Sequence, residues 1–107
     1  MEKYYFKTSK ILAEGYYQDG NMKILKGSFA NKEVLSSFPD SLLKIRSQLI
    51  NNGVLIEKGD KLVFSQDYLC SSPSQASALI NASTSNGLLA WKDSSGRTLK
   101  SRLRELE

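Results

Sequence analysis

Apolar and polar residues alternate over the first quarter of the chain, which is the period of a β-strand. Tyr4 to Phe6 is rich in strand-forming aromatic residues, and Ile11 to Gln18 alternates along its whole length. Asp19-Gly20 follows with residue types that tolerate positive φ, and Met22 to Lys26 resumes the alternation. The pattern predicts strands joined by a tight hairpin, with a polar loop over residues 31–37.

The spacing of apolar residues becomes helical after Pro39. Asp40 or Ser41 is placed to cap the start of this helix, and Gly53 is placed to end it. The apolar residues at helical spacing are Leu42, Leu43, Ile45, Leu49 and Ile50. The sequence therefore predicts a helix between the proline and the glycine.

A second hairpin and a second helix are predicted in the centre of the chain. Val54 to Ile56 and Leu62 to Phe64 flank a glycine-containing turn, which is typical of paired strands. Ser72 and Gln75 have the spacing of a capping box, and Pro73 stands at the first helical position, where its missing N–H costs nothing. The start of the second helix is therefore well specified.

Thr98 is placed to cap a short last helix that reaches Leu103. Together the elements predict an α+β fold, in which a small antiparallel sheet of five or six short strands, built from hairpins, carries two main helices on one face. A chain of 107 residues has room for one core. We expect a single domain over residues 1–105, and the closing Leu106-Glu107 is the kind of dipeptide that an expression tag leaves behind.

The residue types that most catalytic and metal sites need are scarce. The chain has no histidine, which excludes Ser-His-Asp and Cys-His arrangements and the ordinary structural zinc sets. Its single cysteine, Cys70, has no partner for an internal disulfide, and free cysteine commonly packs as a small apolar residue. We expect a protein that is not an enzyme and that has neither a metal nor a cofactor.

The chain shows no sign of a targeting or membrane segment. Its uninterrupted apolar runs are only a few residues long, and residues 1–10 are charged and aromatic. A membrane span needs about 20 apolar residues, and a signal peptide needs a continuous apolar centre. The sequence therefore predicts no membrane association and a cytoplasmic location.

The net charge of +4 is modest, and half of it lies in the last sixteen residues. Five cations stand there against three carboxylates; the cations are Lys92, Arg97, Lys100, Arg102 and Arg104. Such a cluster is consistent with a polyanionic partner. It is equally consistent with an ordinary solvated surface, on which mixed lysine and arginine maintain solubility.

A series of short motifs lies between Tyr68 and Leu99. Ser72-Pro73-Ser74, Asn86-Gly87 and Trp91 occur there in order, and the Asp19-Gly20 hairpin precedes them. The order resembles a domain-of-unknown-function family found at the C-terminal end of GIY-YIG endonuclease-type proteins and in restriction-modification proteins. It is also similar to the RAMA domain that accompanies adenine methylases. Structurally, the same motifs read as a helix start, a tight turn and a core anchor.

The resemblance implies a non-catalytic, nucleic-acid-binding accessory module of a nuclease or restriction-modification type protein. Its partners would be DNA and a catalytic nuclease or methylase domain in the same or another chain. Cations would contact phosphates, and amides at the Ser72–Ser74 helix start would receive an anion. The candidate nucleic-acid-binding residues are Ser72, Ser74, Asn86, Lys92, Arg97, Lys100 and Arg102.

Two other functions remain open from the sequence. The chain could be a protein-interaction module that docks a nuclease or methylase partner through an apolar patch. Candidate residues for that patch are Leu88, Leu89 and Tyr16 or Tyr17. Alternatively, the helix and hairpin from Leu42 to Phe64 could form a winged-helix recognition unit, although the helices that normally precede the wing are missing.

Overall fold

A computed structural model describes residues 2–105, and in that range the chain forms seven strands and four helices. The strands are β1 (Lys3–Lys7), β2 (Leu12–Gln18), β3 (Asn21–Ile24), β4 (Phe29–Asn31), β5 (Leu55–Lys58), β6 (Lys61–Phe64) and β7 (Tyr68–Cys70). The helices are α1 (Asp40–Asn51), α2 (Pro73–Asn81), α3 (Gly87–Ala90) and α4 (Leu99–Glu105). The predicted tag remnant, Leu106-Glu107, lies outside the described residues.

The strands form two antiparallel sheets, which confirms the predicted α+β class but replaces the predicted single sheet. The first sheet has the order β1-β2-β3-β7, and the second has the order β4-β6-β5. The chain leaves the first sheet at Gly27, whose φ is +91°. The Gly27 amide then donates to the Phe64 carbonyl at 2.8 Å, which starts the pairing of β4 with β6. A left-handed glycine therefore separates the two sheets.

The predicted first hairpin is confirmed. Asp19 and Gly20 have φ values of +52° and +88°, and Gln18 pairs directly with Asn21 on the return strand. Positive φ at both central positions matches the right-handed twist of the two strands. By contrast, β4 and β7 were not predicted as strands, because three residues are too few to show alternation.

The hydrophobic core lies between the sheets and the helices. Helix α2 contacts β3, β4 and β7, so it packs against both sheets. The first sheet buries Tyr4, Phe6, Ala13, Met22, Ile24 and Cys70, and the second buries Ala30, Leu55, Leu62 and Phe64. The helical layer adds Ala76, Leu79, Ile80 and, after α3, the fully buried Trp91. The expected roles of Trp91 as a core anchor and Cys70 as a packed apolar residue are confirmed.

Helix α1 differs from its prediction in its cap and in its buried face. Pro39 is the N-cap residue and no side chain bonds to the first turn, so the expected cap by Asp40 or Ser41 is wrong. Leu49 is buried, but Arg46 is buried beside it and donates to the carbonyls of Leu79 at 2.6 Å and Asn31 at 2.7 Å. Arg46 thereby satisfies carbonyls at the end of α2 and in β4.

Helix α2 begins as predicted. The Ser72 hydroxyl accepts from the Gln75 amide at 3.0 Å, and the Gln75 side chain accepts from the Ser71 amide at 2.9 Å. The helix ends at Ala82, which has the left-handed conformation common at C-caps. No helix within residues 2–105 is long and apolar enough to cross a membrane.

Candidate nucleic-acid interface

The loop between α3 and α4 is organised around Asp93, which is 5% exposed. Its Oδ1 atom accepts from the Ser95 amide at 3.0 Å, the Ser95 hydroxyl at 2.8 Å and the Arg97 amide at 2.9 Å. Burial opposes the charged form of Asp93, yet hydrogen bonds from Ser95, Arg97 and Arg102 hold its pKa well below the usual range. Asp93 is therefore a buried carboxylate at the centre of the cationic segment.

Both arginines predicted to bind phosphate have carboxylate partners. Arg102 donates to Asp93 Oδ2 at 2.7 Å and to the Glu2 carboxylate on its other side. Arg97 forms an ion pair with Glu105. Because each guanidinium faces a carboxylate, neither contributes a full uncompensated charge to the surface.

At the start of α2, where backbone amides were predicted to receive an anion, the serine hydroxyls bond within the chain. Ser72 caps α2 as described, and the Ser74 hydroxyl accepts from the Gly87 amide at 2.9 Å. Asn86 caps α3, because its Oδ1 atom accepts from the Leu88 amide at 3.1 Å. These three predicted site residues therefore lie close together, and they join the starts of two helices.

Gly87 and Trp91 complete that junction. A Cβ atom on Gly87 would lie 2.2 Å from the Pro73 carbonyl carbon and 2.3 Å from the Ser74 nitrogen, so no larger residue fits. The Trp91 indole donates to the Pro73 carbonyl at 3.1 Å. The backbone of Gly87 therefore covers the first turn of α2, where the amides were expected to bind phosphate.

Lys92 lies elsewhere, at the edge of the first sheet. Its amide donates to the Tyr5 carbonyl at 3.0 Å, and the Tyr5 amide donates to the Lys92 carbonyl at 2.7 Å. Lys92 also bridges to Thr98, so this segment extends the sheet beyond β1. Directly opposite residues of an antiparallel pair share a face, so Lys92 is on the same side as Tyr5, whereas Trp91 points into the core.

The side of the first sheet that faces away from the helices is open. In β1 the buried Tyr4 and Phe6 alternate with Lys3, Tyr5 and Lys7, which are wholly or partly exposed. The register places Lys3 opposite Tyr16, and Tyr16 opposite Lys23. We call this surface the outer sheet face. Its residues are Lys3, Tyr5, Lys7, Leu12, Glu14, Tyr16, Lys23, Leu69 and Lys92.

The outer sheet face is positively charged. It carries four lysines against one carboxylate, Glu14, whose Oε2 atom lies 3.3 Å from Lys3 Nζ. Lys7, Lys23 and Lys92 are exposed and belong to none of the ion pairs formed among residues 2–105. Three lysines are therefore available for an anionic ligand.

Two shallow depressions continue this surface at the end of β1. Lys7 and Leu12 line both of them. One lies over Tyr5 and Lys92. The other is lined by four lysines together with Thr8, Ser9, Ile11, Leu12 and Phe29; the lysines are Lys7, Lys10, Lys58 and Lys61. Of these four, only Lys61 has an ion-pair partner within the described range, Asp60. The positive surface thus extends from Lys92 across β1 to the second hairpin.

The remaining predicted residues are dispersed. Lys100 is exposed on the first turn of α4 and lines a separate depression with Arg104. Of the apolar patch proposed for a protein partner, Leu88 and Tyr17 pack partly against the core, and Leu89 is exposed on α3. Tyr16 belongs to the outer sheet face. These side chains do not form one continuous exposed patch.

Sequence reasoning missed most of the outer sheet face. The signal was present in β1, because the alternation that buries Tyr4 and Phe6 necessarily puts Lys3, Tyr5 and Lys7 on the opposite side. The pairing of Lys92 with Tyr5 had no such local signal, because the two residues are distant in sequence. Lys92 is the member of the predicted site that the structure joins to this surface.

Burial raises the pKa of the Cys70 thiol to about 12, so the reactive thiolate is disfavoured. Within residues 2–105, no three cysteine or carboxylate side chains lie close enough together to hold a metal ion.

Comparison with known proteins identifies a family for the chain but no similar curated protein or solved structure. No curated protein and no solved structure shows a significant match to the chain. One family model, described as a domain of unknown function (DUF4357), matches residues 4–103. This match spans every strand from β2 to β7 and reaches into α4, so it includes almost all of the fold. The chain therefore belongs to the DUF4357 family.

Proposed function

We propose that this protein is a non-catalytic nucleic-acid-binding module that serves a nuclease or restriction-modification type enzyme. The observation that carries the proposal is the outer sheet face, where Lys7, Lys23 and Lys92 are exposed and have no carboxylate partner among residues 2–105. A surface with several uncompensated cations suits the regular negative charge of a phosphate backbone.

The lysines of this surface would supply affinity and orientation without reading sequence. Lysine is a flexible point charge, which suits phosphate contacts better than the geometry of base recognition. Lys10 and Lys58, in the adjoining depression, would extend the contact along the backbone of the ligand. Arg97 and Arg102 would contribute less than the lysines, because carboxylates already face them.

The association with a nuclease or methylase rests on the resemblance of the segment from Tyr68 to Leu99. In this structure the motifs of that segment build the junction between α2 and α3, together with the buried Trp91. They therefore maintain the fold, while the lysines on the other side of the sheet bind the ligand. A module of this kind would hold nucleic acid near a catalytic domain in the same or another chain.

Fluorescence anisotropy with labelled oligonucleotides tests the proposal. We expect binding at 25 mM NaCl that weakens with added salt, because each neutralised phosphate adds about 0.7–0.9 to the slope of log K against log salt. Lys7→Gln and Lys92→Gln should each reduce that slope by about one. Lys44→Gln, an exposed lysine on α1, is the matched control and should leave the slope unchanged.

Two results would overturn the proposal. One is the absence of binding at 25 mM NaCl. The other is binding that Lys7→Gln and Lys92→Gln leave unchanged while Lys44→Gln or Arg97→Ala with Arg102→Ala abolishes it. Circular dichroism melting of each variant separates loss of binding from loss of folding.

A further inference from the structure

We infer that the outer sheet face takes single-stranded rather than double-stranded nucleic acid, with bases stacked on Tyr5 and Tyr16. This inference rests on the proposed function, and it names the class of ligand. It is carried by the positions of the two tyrosines among the lysines, the width of the sheet and the lack, in the described chain, of a helix that presents a row of exposed cations.

The two tyrosines stand among the lysines of the outer sheet face. Tyr5 of β1 pairs with Glu14 of β2. Tyr16 is two residues beyond Glu14 on β2, so the two tyrosines are diagonal neighbours. Both are partly exposed, so part of each ring is available to a ligand. Aromatic side chains that project from a basic surface are the usual means of holding unpaired bases, because every base has a π-face.

The spacing of the tyrosines suits an extended strand. Diagonal neighbours on adjacent strands are about 7–8 Å apart, whereas successive nucleotides of a B-form strand rise about 3.4 Å. Two bases stacked on Tyr5 and Tyr16 would therefore have to be separated from each other. An unpaired strand can open to this spacing, but a duplex cannot without losing its own stacking.

Lysines flank each ring. Lys3 and Lys23 lie on either side of Tyr16 in the same row of the sheet. Lys92 lies directly across from Tyr5, and Lys7 follows two residues later on β1. A base on either ring would thus have a cation within reach of its phosphate, which is the combination of contacts that single-strand-binding surfaces use.

The base edges of a duplex cannot reach the two tyrosines. The four strands with the Lys92 segment are about 19 Å wide at a spacing of about 4.8 Å. The major groove of B-DNA is about 12 Å wide and admits a helix or a two-stranded ribbon. The tyrosines lie on the two strands nearest the Lys92 edge, and β3 and β7 extend the surface on the other side. The groove therefore cannot close around them.

No helix of the described chain replaces the sheet as a groove reader. Helix α1, the recognition helix in the winged-helix interpretation, has its Arg46 buried and exposes Lys44 as its one cation. Helices α2 and α3 contain no lysine or arginine. The seven-residue α4 exposes Lys100 and Arg104, while its Arg102 is engaged with carboxylates. A recognition helix normally presents several side chains to base edges and phosphates.

Competition between single strands and a duplex tests the inference on the unaltered protein. Labelled 12-nucleotide DNA and RNA strands of mixed sequence, and the DNA duplex of the same sequence, are titrated at 50 mM NaCl. We expect a single strand of DNA or RNA to bind at least about 5-fold more tightly than the duplex, from base stacking worth about 1–3 kcal/mol per base. The two single strands identify which nucleic acid is preferred.

Substitutions locate the stacking. Tyr5→Thr and Tyr16→Thr keep a β-branched residue in the strand, and each should weaken single-strand binding at least about 5-fold with an unchanged salt slope. Tyr5→Phe and Tyr16→Phe keep the ring and should bind within about 2-fold of the unaltered protein. The comparison of single strand with duplex needs no substitution, so it stays decisive if a threonine variant fails to fold.

Equal affinity for duplex and single strand, with threonine variants that bind normally and a Lys7→Gln variant that binds weakly, would overturn this inference and leave the proposed function standing. Failure of all three nucleic acids to bind at 50 mM NaCl would overturn both.

Discussion

Asp93 holds the loop before α4 in place and neutralises part of the positive charge of the carboxyl-terminal segment. Three hydrogen bonds to one carboxylate oxygen fix the loop, and Arg102 binds the other oxygen at 2.7 Å. Removing Asp93 would leave Arg102 with Glu2 and would leave the loop amides without an acceptor. The role of Arg102 is therefore mainly structural, because its partner is a nearly buried carboxylate.

The depressed pKa of Asp93 predicts a pH-dependent stability. A carboxyl group whose folded pKa lies below its unfolded value stabilises the protein above the unfolded value, about 4, and this contribution is lost as the pH falls toward the folded value. Asp93→Asn should therefore lower the melting temperature at pH 7. Between pH 5 and pH 2 its melting temperature should also fall less than that of the unaltered protein.

Melting followed by circular dichroism at several pH values measures this difference. Melting temperatures that fall by the same amount in the two proteins from pH 7 to pH 2 would contradict the assigned role of Asp93.

Gly87 brings the separate motifs of the carboxyl-terminal half together. Its backbone lies against Pro73 and Ser74 at distances that admit no Cβ atom. The glycine, the proline-led helix start and the indole of Trp91 consequently form one packed unit. A family resemblance based on these residues reports the fold, whereas the proposed ligand surface lies on the opposite side of the first sheet.

At the scale of elements, the starts of the two main helices differ. Ser72 caps α2 through its hydroxyl, while α1 begins at Pro39 without any side-chain cap. An N-cap hydroxyl contributes about 1 kcal/mol to stability. The two helix starts therefore offer a matched pair of serines, Ser72 and Ser41.

Ser72→Ala should lower the free energy of unfolding by about 1 kcal/mol, or the melting temperature by about 4–8 °C for a domain of this size. Ser41→Ala, on the first turn of α1, should change stability little, because its side chain caps nothing. Thermal and urea unfolding of both variants measure the difference. Equal losses would contradict the assigned capping role.

The elements that could be predicted from the sequence are those with local signals. Asp19-Gly20 identifies the first hairpin, and Ser72 with Pro73 identifies the start of α2. The three-residue strands β4 and β7 have no detectable period, and their existence depends on pairing with β6 and β3. The burial of Arg46 was equally hidden, because it depends on carbonyls from distant parts of the chain.

At the scale of the whole molecule, the sheet separates two surfaces. On one side, helices cover the core, and Arg97 and Arg102 pair with Glu2, Asp93 and Glu105. On the other side, the outer sheet face carries exposed lysines and partly exposed tyrosines. The cluster of charge in the sequence indicated the surface of the carboxyl-terminal arginines. The outer sheet face is assembled by strand pairing, which the sequence does not show.

The candidate site could be predicted only in part for the same reason. Lys92 was identified from its charge, but its neighbours follow from the bridge to Tyr5 and from the register of β1 with β2. The alternation in β1 alone would have put Lys3, Tyr5 and Lys7 on one side. What the sequence could not supply was that no helix of residues 2–105 covers this side.

The most direct test of the central claim is a two-dimensional ¹H–¹⁵N NMR titration with a 12-nucleotide single strand at 50 mM NaCl. The account predicts that the largest shift changes fall on amides of β1, β2 and β3 and on Lys92, with the amides of α1 unmoved. The expected residues are Lys3, Tyr5, Lys7, Tyr16, Lys23 and Lys92. Changes confined to α1 or to the start of α2, or none at all, would contradict it.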